Sequence, residues 1–345
     1  MASAFDFKER LGAGHFGEVW RVVDTGLNTE RALKMIAPTK VLNPSNFFHE
    51  AQILKAVEHP NVVKVEETGQ FSDGRIYVAM EYLAKGSLED EARGSYLELT
   101  RAKRLMIDVL RGLEHAHTRG VLHRDIKPAN ILIGQGLEGK LSDFGLAIPA
   151  GLNLKALGVK EYAYVLHMPP EIHDGKPHTI SSDIYACGVT LYRMINGDTY
   201  FCAPDPAELA NQVRLGEFPD RTSYRSFVPL SLRRVVDRAI AVNPASRFST
   251  AAQMRRALEQ IVIEKNWVER ALTNGTEWVC GWDRRCYEVR CVEVSKGSWD
   301  LSVRRGTSRA NLRKMAALCR TSMTHLEVQR HARRVLQDFV LGKLK

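Results

Sequence analysis

No run of about 18 or more apolar residues occurs in this 345-residue chain, so no transmembrane helix is expected. The N-terminal stretch MASAFDFKERLGAG lacks a basic segment followed by an apolar one, the two parts of a secretory signal. Both absences lead to the expectation of a cytoplasmic protein that does not engage a membrane. The six cysteines (Cys187, Cys202, Cys280, Cys286, Cys291 and Cys319) are then expected to be reduced thiols. No C-x2-C pair occurs around Cys280, Cys286 and Cys291, and no histidine lies near them, which argues against a tetrahedral zinc site. Internal repeats and low-complexity tracts are missing as well. Apolar residues make up 44% of the chain, enough for a sizeable core, which excludes general disorder.

Net charge is missing from most of the chain. Residues 1–264 hold 32 Lys+Arg and 32 Asp+Glu, whereas residues 265–345 hold 17 and 8. The whole excess of +9 therefore lies in the last 81 residues. Such an asymmetry marks units with different partners. Arginines on a small unit are mostly a solvated face. If the tail binds something, an acidic protein partner is the preferred reading and nucleic acid the lesser one, because a basic face alone is only an electrostatic footprint.

The first ninety residues read as strands with one helix: LGAGHFGEVWRVVD alternates around glycines, ERALKMIA and IYVAMEYL are β-like, and NPSNFFHEAQILKAVEHP has helical spacing. From Thr100 onward the pattern is helical. After Asn266 short alternating runs return at Trp278–Trp282, Cys286–Val294 and Trp299–Val303. They suggest a three-stranded meander followed by two helices, the second opening on a capping box at Thr324-His325-Leu326-Glu327.

Chemistry concentrates in a few short stretches. Gly12-Ala13-Gly14-His15-Phe16-Gly17-Glu18-Val19 has the form G-x-G-x-x-G-x-V. Glycines let backbone N–H groups approach phosphate oxygens, although the same pattern also suits a simple hairpin turn. Flanking strands on both sides count against a dinucleotide fold, in which the loop would open a helix. Lys34 ends an apolar strand, where a point charge suits phosphate oxygens or simply reaches solvent. Glu50, on the following helix, could aim Lys34 or be a solvated charge. In HRDIKPANIL, His123 to Leu132, Asp125 can accept a proton from a hydroxyl, Lys127 can neutralise a transferring phosphoryl group and Asn130 offers an amide oxygen. Asp143, in Ser142-Asp143-Phe144-Gly145, supplies a second carboxylate thirteen residues after Asn130. Asn130 and Asp143 together suit a hard cation such as Mg2+.

In this order these residues resemble the eukaryotic-like (Hanks-type) protein kinase family, over roughly residues 7–262. The resemblance also rests on a P-P-E variant of the A-P-E motif, on Asp183 and Gly188 in DIYACG, and on Arg247 in NPASRF. It implies a two-lobed protein-kinase fold of the α+β class, with a β-rich N-lobe over about residues 1–83 and a helical C-lobe over about 84–264. Residues 265–345 would form a small basic α+β accessory domain. It implies ATP and Mg2+ as cofactors. Gly12, Gly14 and Gly17 would cover the ATP phosphates. Lys34 would hold the α/β-phosphates and pair with Glu50. Asp125 would be the catalytic base, Lys127 would assist the γ-phosphoryl, and Asn130 and Asp143 would bind Mg2+. Met80 would be the gatekeeper, backbone groups of Glu81 and Leu83 would bond adenine, and Val19, Ala32 and Leu132 would sandwich it. Leu11 joins these nucleotide-binding residues. Glu171 and Arg247 would form a structural ion pair.

Lysine two residues after Asp125 resembles serine/threonine rather than tyrosine kinases, and the wording HRDIKPANIL is most like bacterial members. The segment from Asp143 to Glu171 departs from the family: it holds no serine or threonine between Phe144 and Pro170, and its hydroxyls are Tyr162 and Tyr164. Neither Val159 nor Tyr164, the two candidates for the threonine that precedes the substrate loop, is threonine. The expected activity is phosphorylation of Ser/Thr hydroxyls of protein substrates, with autophosphorylation. A nucleotide-binding pseudokinase scaffold and a small-molecule phosphotransferase are the alternatives. The tail, with four tryptophans, is expected to fold by itself or to dock on the helical lobe.

Overall fold

The computed structural model describes residues 5–14, 17–36, 55–144, 165–281 and 285–344. Glu50, Gly145, Val159, Tyr162, Tyr164 and Trp282 lie outside the described residues. The chain opens with β1 (Phe5–Gly14), β2 (Gly17–Asp24) and β3 (Thr29–Ile36), then β4 (Val65–Gln70) and β5 (Ile76–Glu81). These five form one antiparallel sheet in the order β1-β2-β3-β5-β4. Gly14 and Gly17 face each other at the end of the first hairpin, and Gly17 has φ 146°, a conformation only glycine adopts without strain. Phe5, Val22, Leu33, Met35 and Ala79 form a small separate core beside this sheet.

The helical lobe follows: α1 (Leu88–Ala92), α2 (Leu99–Thr118), the short pair β6 (Ile131–Ile133) and β7 (Gly139–Leu141), then α3 (Pro170–His173), α4 (Ile180–Asn196), α5 (Pro206–Leu215), α6 (Leu230–Ala239) and α7 (Ala251–Glu259). In α2, Leu99, Ala102, Leu105, Met106, Val109, Leu110, Leu113 and Ala116 recur at three- and four-residue steps and are all buried. Buried residues occur on every side of α4, which runs through the centre of the lobe. Its N-terminus is closed by a capping box between Thr179 and Ser182, and Gly197 ends it with φ 77°. At Gly188 a Cβ would come within 2.7 Å of Ala239 and Ile240, so glycine there is what lets α6 approach.

The tail differs from its expected plan. The three-stranded meander is a four-stranded one, β8 (Val268–Leu272), β9 (Gly275–Cys280), β10 (Cys286–Ser295) and β11 (Ser298–Gly306). Two short strands, β12 (Arg313–Lys314) and β13 (Arg320–Met323), add to β11. Only one of the two expected helices forms in the described tail: α8 (His325–Val340), capped by Thr324 and Glu327. The first is replaced by short 3-10 turns around β12. Here tertiary pairing overrides the helix propensity of Ala, Leu, Lys and Arg: Met315 N–H donates to Val303 O at 2.8 Å, and Val303 N–H to Cys319 Sγ at 3.3 Å.

The tail docks on the helical lobe. Trp267, Trp278, Tyr287 and Phe339 belong to the same hydrophobic cluster as α2 and α4. Glu264 N–H donates to Val340 O at 2.7 Å and Gln337 Nε2 to Ser226 O at 3.2 Å, while within the tail Trp267 Nε1 donates to Leu336 O at 3.3 Å. Among the described residues no helix is long and apolar enough to cross a membrane.

Candidate active site

The β6–β7 hairpin turns a thirteen-residue separation into contact. Ile131 pairs with Leu141, and Ser142 N–H donates to Asn130 O at 2.9 Å, so Asn130 and Asp143 leave neighbouring strand ends. Asp143 takes φ 60°, left-handed for a non-glycine residue, and its carboxylate Oδ1 accepts from Lys34 Nζ at 2.8 Å. The Lys34 ammonium holds the Asp143 carboxyl below its usual range, so it is ionised. Lys34 reaches this point from β3, where it lies between Val19 of β2 and Val78 of β5. Whether Glu50 meets Lys34 falls outside the described residues.

Asp125 is 8% exposed. Its Oδ2 lies 2.9 Å from Lys127 Nζ and accepts from Asn130 Nδ2 at 2.6 Å. Burial pushes its carboxyl up, to about 6, against the opposing pull of Lys127 and Asn130. Asn130 Nδ2 donates also to Asp125 O at 2.9 Å. With the amide nitrogen committed to Asp125, the amide oxygen is the end of Asn130 left to offer a cation. This donor set, one amide oxygen and the Asp143 carboxylate, fits a hard metal ion.

Asp183, fully buried near the start of α4, holds the loop in place. Its Oδ1 accepts from Arg124 N–H at 2.8 Å, and its Oδ2 from His123 N–H at 2.9 Å. His117 Nε2 lies 2.9 Å from the same Oδ2. These bonds clamp Arg124 at φ 70°, a sparsely populated conformation. His123 is fully buried and burial pulls its pKa down; its Nε2 donates to Ser142 O at 3.0 Å, and its ring lies 4.5 Å from that of Phe144. The HRDIKPAN and DFG stretches are thus bonded to each other and to one helix.

The residues expected from sequence to bind nucleotide lie on β1, β2, β3, β5 and β6 and just after β5. Gly12 pairs with Val19, Ala32 with Met80, and Leu132 forms a bridge with Ser87. Leu11 is 43% exposed on β1, and Leu83 is buried just after β5. Among the described residues, its chain neighbours aside, no atom lies within 4 Å of where a Gly12 Cβ would be, so their packing does not demand this glycine. The open space suits a bulky anion approaching the backbone. Glu81 was named for its backbone, but its side chain is engaged too: Oε1 accepts from Lys64 N–H and from Lys140 Nζ, both at 2.8 Å. Sequence reasoning missed this anchor and the His117 contact, neither of which has a motif. Asp183 was seen as a motif member, but not as the clamp on the catalytic loop. Glu171 and Arg247 form the expected ion pair, bidentate at 2.7 and 2.8 Å and almost fully buried.

The protein kinase domain family matches residues 5–260. The chain belongs to the protein kinase family. Similar curated proteins include the serine/threonine-protein kinase PknJ of Mycobacterium tuberculosis, 32% identical over 267 residues that cover 74% of this chain and 45% of PknJ. Serine/threonine-protein kinase PknB of Mycolicibacterium smegmatis is 32% identical over 273 residues, 76% of this chain and 43% of PknB. Serine/threonine-protein kinase PknK of Mycobacterium tuberculosis is 31% identical over 265 residues, 76% of this chain and 24% of PknK. The kinase spans less than half the length of these relatives.

Proposed function

We propose that this kinase transfers the γ-phosphoryl group of ATP to serine or threonine hydroxyls of protein substrates, including its own chain. The observation that carries this reading is the convergence of Lys34, Asp125, Lys127, Asn130 and Asp143 at one cleft. A pseudokinase scaffold would have no need of that set. The serine/threonine names of its relatives and Lys127 two residues after Asp125 support the substrate class.

Asp125 would accept or orient the substrate hydroxyl proton, with Lys127 and Asn130 fixing its carboxylate. Lys34 would hold phosphate oxygens once nucleotide displaces its contact with Asp143. Asn130 and Asp143 would hold Mg2+, which when bound draws off negative charge on the phosphates. The catalytic contribution of the chain is then positioning and electrostatic stabilisation. The tail, with its excess of +9, would select an acidic protein partner rather than nucleic acid.

Incubation with γ-labelled ATP and Mg2+, alone and with a generic protein substrate, tests the proposal. Labelled phosphoserine or phosphothreonine is the expected product. Nucleotide binding without any transfer would return the scaffold reading, and label appearing only on small molecules would return the small-molecule one.

A further inference from the structure

Alternation along the tail strands separates two faces of its sheet. One carries Trp278, Tyr287, Val289 and Leu301 and is sealed by α8, with the Tyr287 ring 4.8 Å from that of Phe339. The opposite face is charged. In register across the strands, Arg270 faces Glu277, Glu277 faces Arg290, Glu288 faces Arg304, and Arg304 faces Lys314. Arg309 reaches the same face from a 3-10 turn.

The two carboxylates here are buried, Glu277 at 5% and Glu288 at 4% exposure. Glu277 takes Arg290 at 2.7 Å, Arg309 at 3.3 Å and Arg270 at 3.9 Å; Glu288 takes Arg290 at 3.1 Å and Arg304 at 3.6 Å. The arginine side chains themselves keep 38–44% of their surface open. Four guanidiniums thus surround two glutamates, which leaves excess positive charge on the outside. Glu288 Oε1 is buried and makes no hydrogen bond among the described residues. Burying two carboxylates under an exposed arginine layer is costly if the layer serves only stability. It is economical as a support that fixes guanidinium forks for an incoming anion.

Neighbouring strands lie about 4.8 Å apart, so the row from β8 to β11 spans roughly 14 Å, the length of four or five extended residues. The residues that form the row include no aromatic side chain on which a base could stack. A dense phosphate polyanion would also meet the two glutamates. Carboxylates spaced along an extended peptide could instead repeat the arginine–carboxylate geometry already made by Arg290 and Glu277.

We propose that this arginine face is the docking site for a short acidic segment of a protein partner. This rests on the reading that the tail's charge selects such a partner, but not on the phosphoryl-transfer reading. The test uses the full chain without ATP and a fluorescein-labelled ten-residue Asp/Glu-rich peptide, followed by fluorescence anisotropy. Arg290 holds both buried glutamates, so it is left intact. The expected result is that Arg270→Ala with Lys314→Glu weakens binding at least tenfold, and Arg304→Lys, which keeps the charge but loses the fork, several-fold. Arg330→Ala with Arg334→Ala, on α8, should change it less than twofold, and all variants should keep the wild-type melting temperature. If an α8 variant abolishes binding and the face variants do not, the tail selects acidic partners elsewhere and this site is overturned. If no variant nor wild type binds the peptide, the acidic-partner reading falls with it. Tighter binding of a duplex or single-stranded oligonucleotide, lost with the same face variants, would overturn the proposal in favour of nucleic acid.

Discussion

Arg225 and Glu269 form a 2.6 Å ion pair across the junction between the helical lobe and the tail. Arg225 is buried, its guanidinium 3.9 Å from the centre of the Tyr96 ring, and it also donates to Asn196 O at 2.7 Å and Thr199 Oγ1 at 3.2 Å. Glu269 returns the grip: its N–H donates to the Tyr96 hydroxyl at 2.7 Å, and its second carboxylate oxygen accepts from Trp278 Nε1 at 2.7 Å. The tail is therefore fastened by a buried polar lock set in an apolar seam.

Glu269→Ala leaves Arg225 buried without its carboxylate. The expected cost is about 3 kcal/mol, because breaking one side of a buried pair strands the other charge. Urea unfolding of the full chain measures it. Unchanged stability would show that water reaches Arg225 and that the seam is open. Truncation at residue 266 is expected to lower the melting temperature of the kinase lobe for the same reason.

Asp143→Asn removes the carboxylate charge beside Lys34 that would hold the metal. Phosphoryl transfer should drop at least about a hundredfold, the scale of losing one transition-state electrostatic group. Circular dichroism should be unaltered. Turnover close to wild type would refute the site assignment.

Asp183→Asn tests the clamp. Asn keeps one acceptor oxygen but cannot serve both His123 N–H and Arg124 N–H as well as a carboxylate does. The loop then relaxes from its strained φ at Arg124, and a displacement of about 1 Å is worth roughly a hundredfold in kcat. KM for ATP should move less than about threefold, because the cleft residues on β1, β2 and β5 are untouched. A loss confined to KM would show that Asp183 acts on nucleotide binding instead.

His167 gives a pH signature. It is buried, 5.7 Å from the Phe201 ring, and burial, together with the positive charges of Arg193 and Lys127, pulls its pKa down to about 3. In the unfolded chain the imidazole titrates near its ordinary 6.5. Below that value the unfolded state binds a proton that the folded state refuses, so stability is full above pH 6.5 and is lost as pH falls toward 3. Between pH 7 and pH 5 this group alone should remove about 2 kcal/mol. His167→Phe should flatten that part of the stability profile relative to wild type; parallel profiles would show that His167 takes up a proton in the folded protein.

Much of the site was legible because phosphoryl transfer needs particular residue types in a fixed order. In the proposed reaction Lys34, Asp125, Asn130 and Asp143 would each do something few other side chains can, Gly12 would leave room at the backbone, and the Glu171–Arg247 pair follows from the same family pattern. The details that escaped depend on contacts distant in sequence. Nothing near Glu81 announces Lys140, 59 residues away. VERAL, the β8 stretch, carries the charged Glu269 and Arg270 in an otherwise apolar run of five, and their partners Arg225 and Glu277 lie on other elements. The run before Thr324 looked helical because its residues favour helices when isolated, whereas β11 offered a strand edge to pair with.

The helix α4 carries Asp183 near one end and Asn196 at the other. At 1.5 Å per residue these points are about 20 Å apart along a single rigid rod. The catalytic loop hangs from the first and the tail, through Arg225, from the second. A load on the tail would therefore pass through the Arg225 contacts into one continuous helix and leave it through the Asp183 hydrogen bonds to the loop of His123 and Arg124.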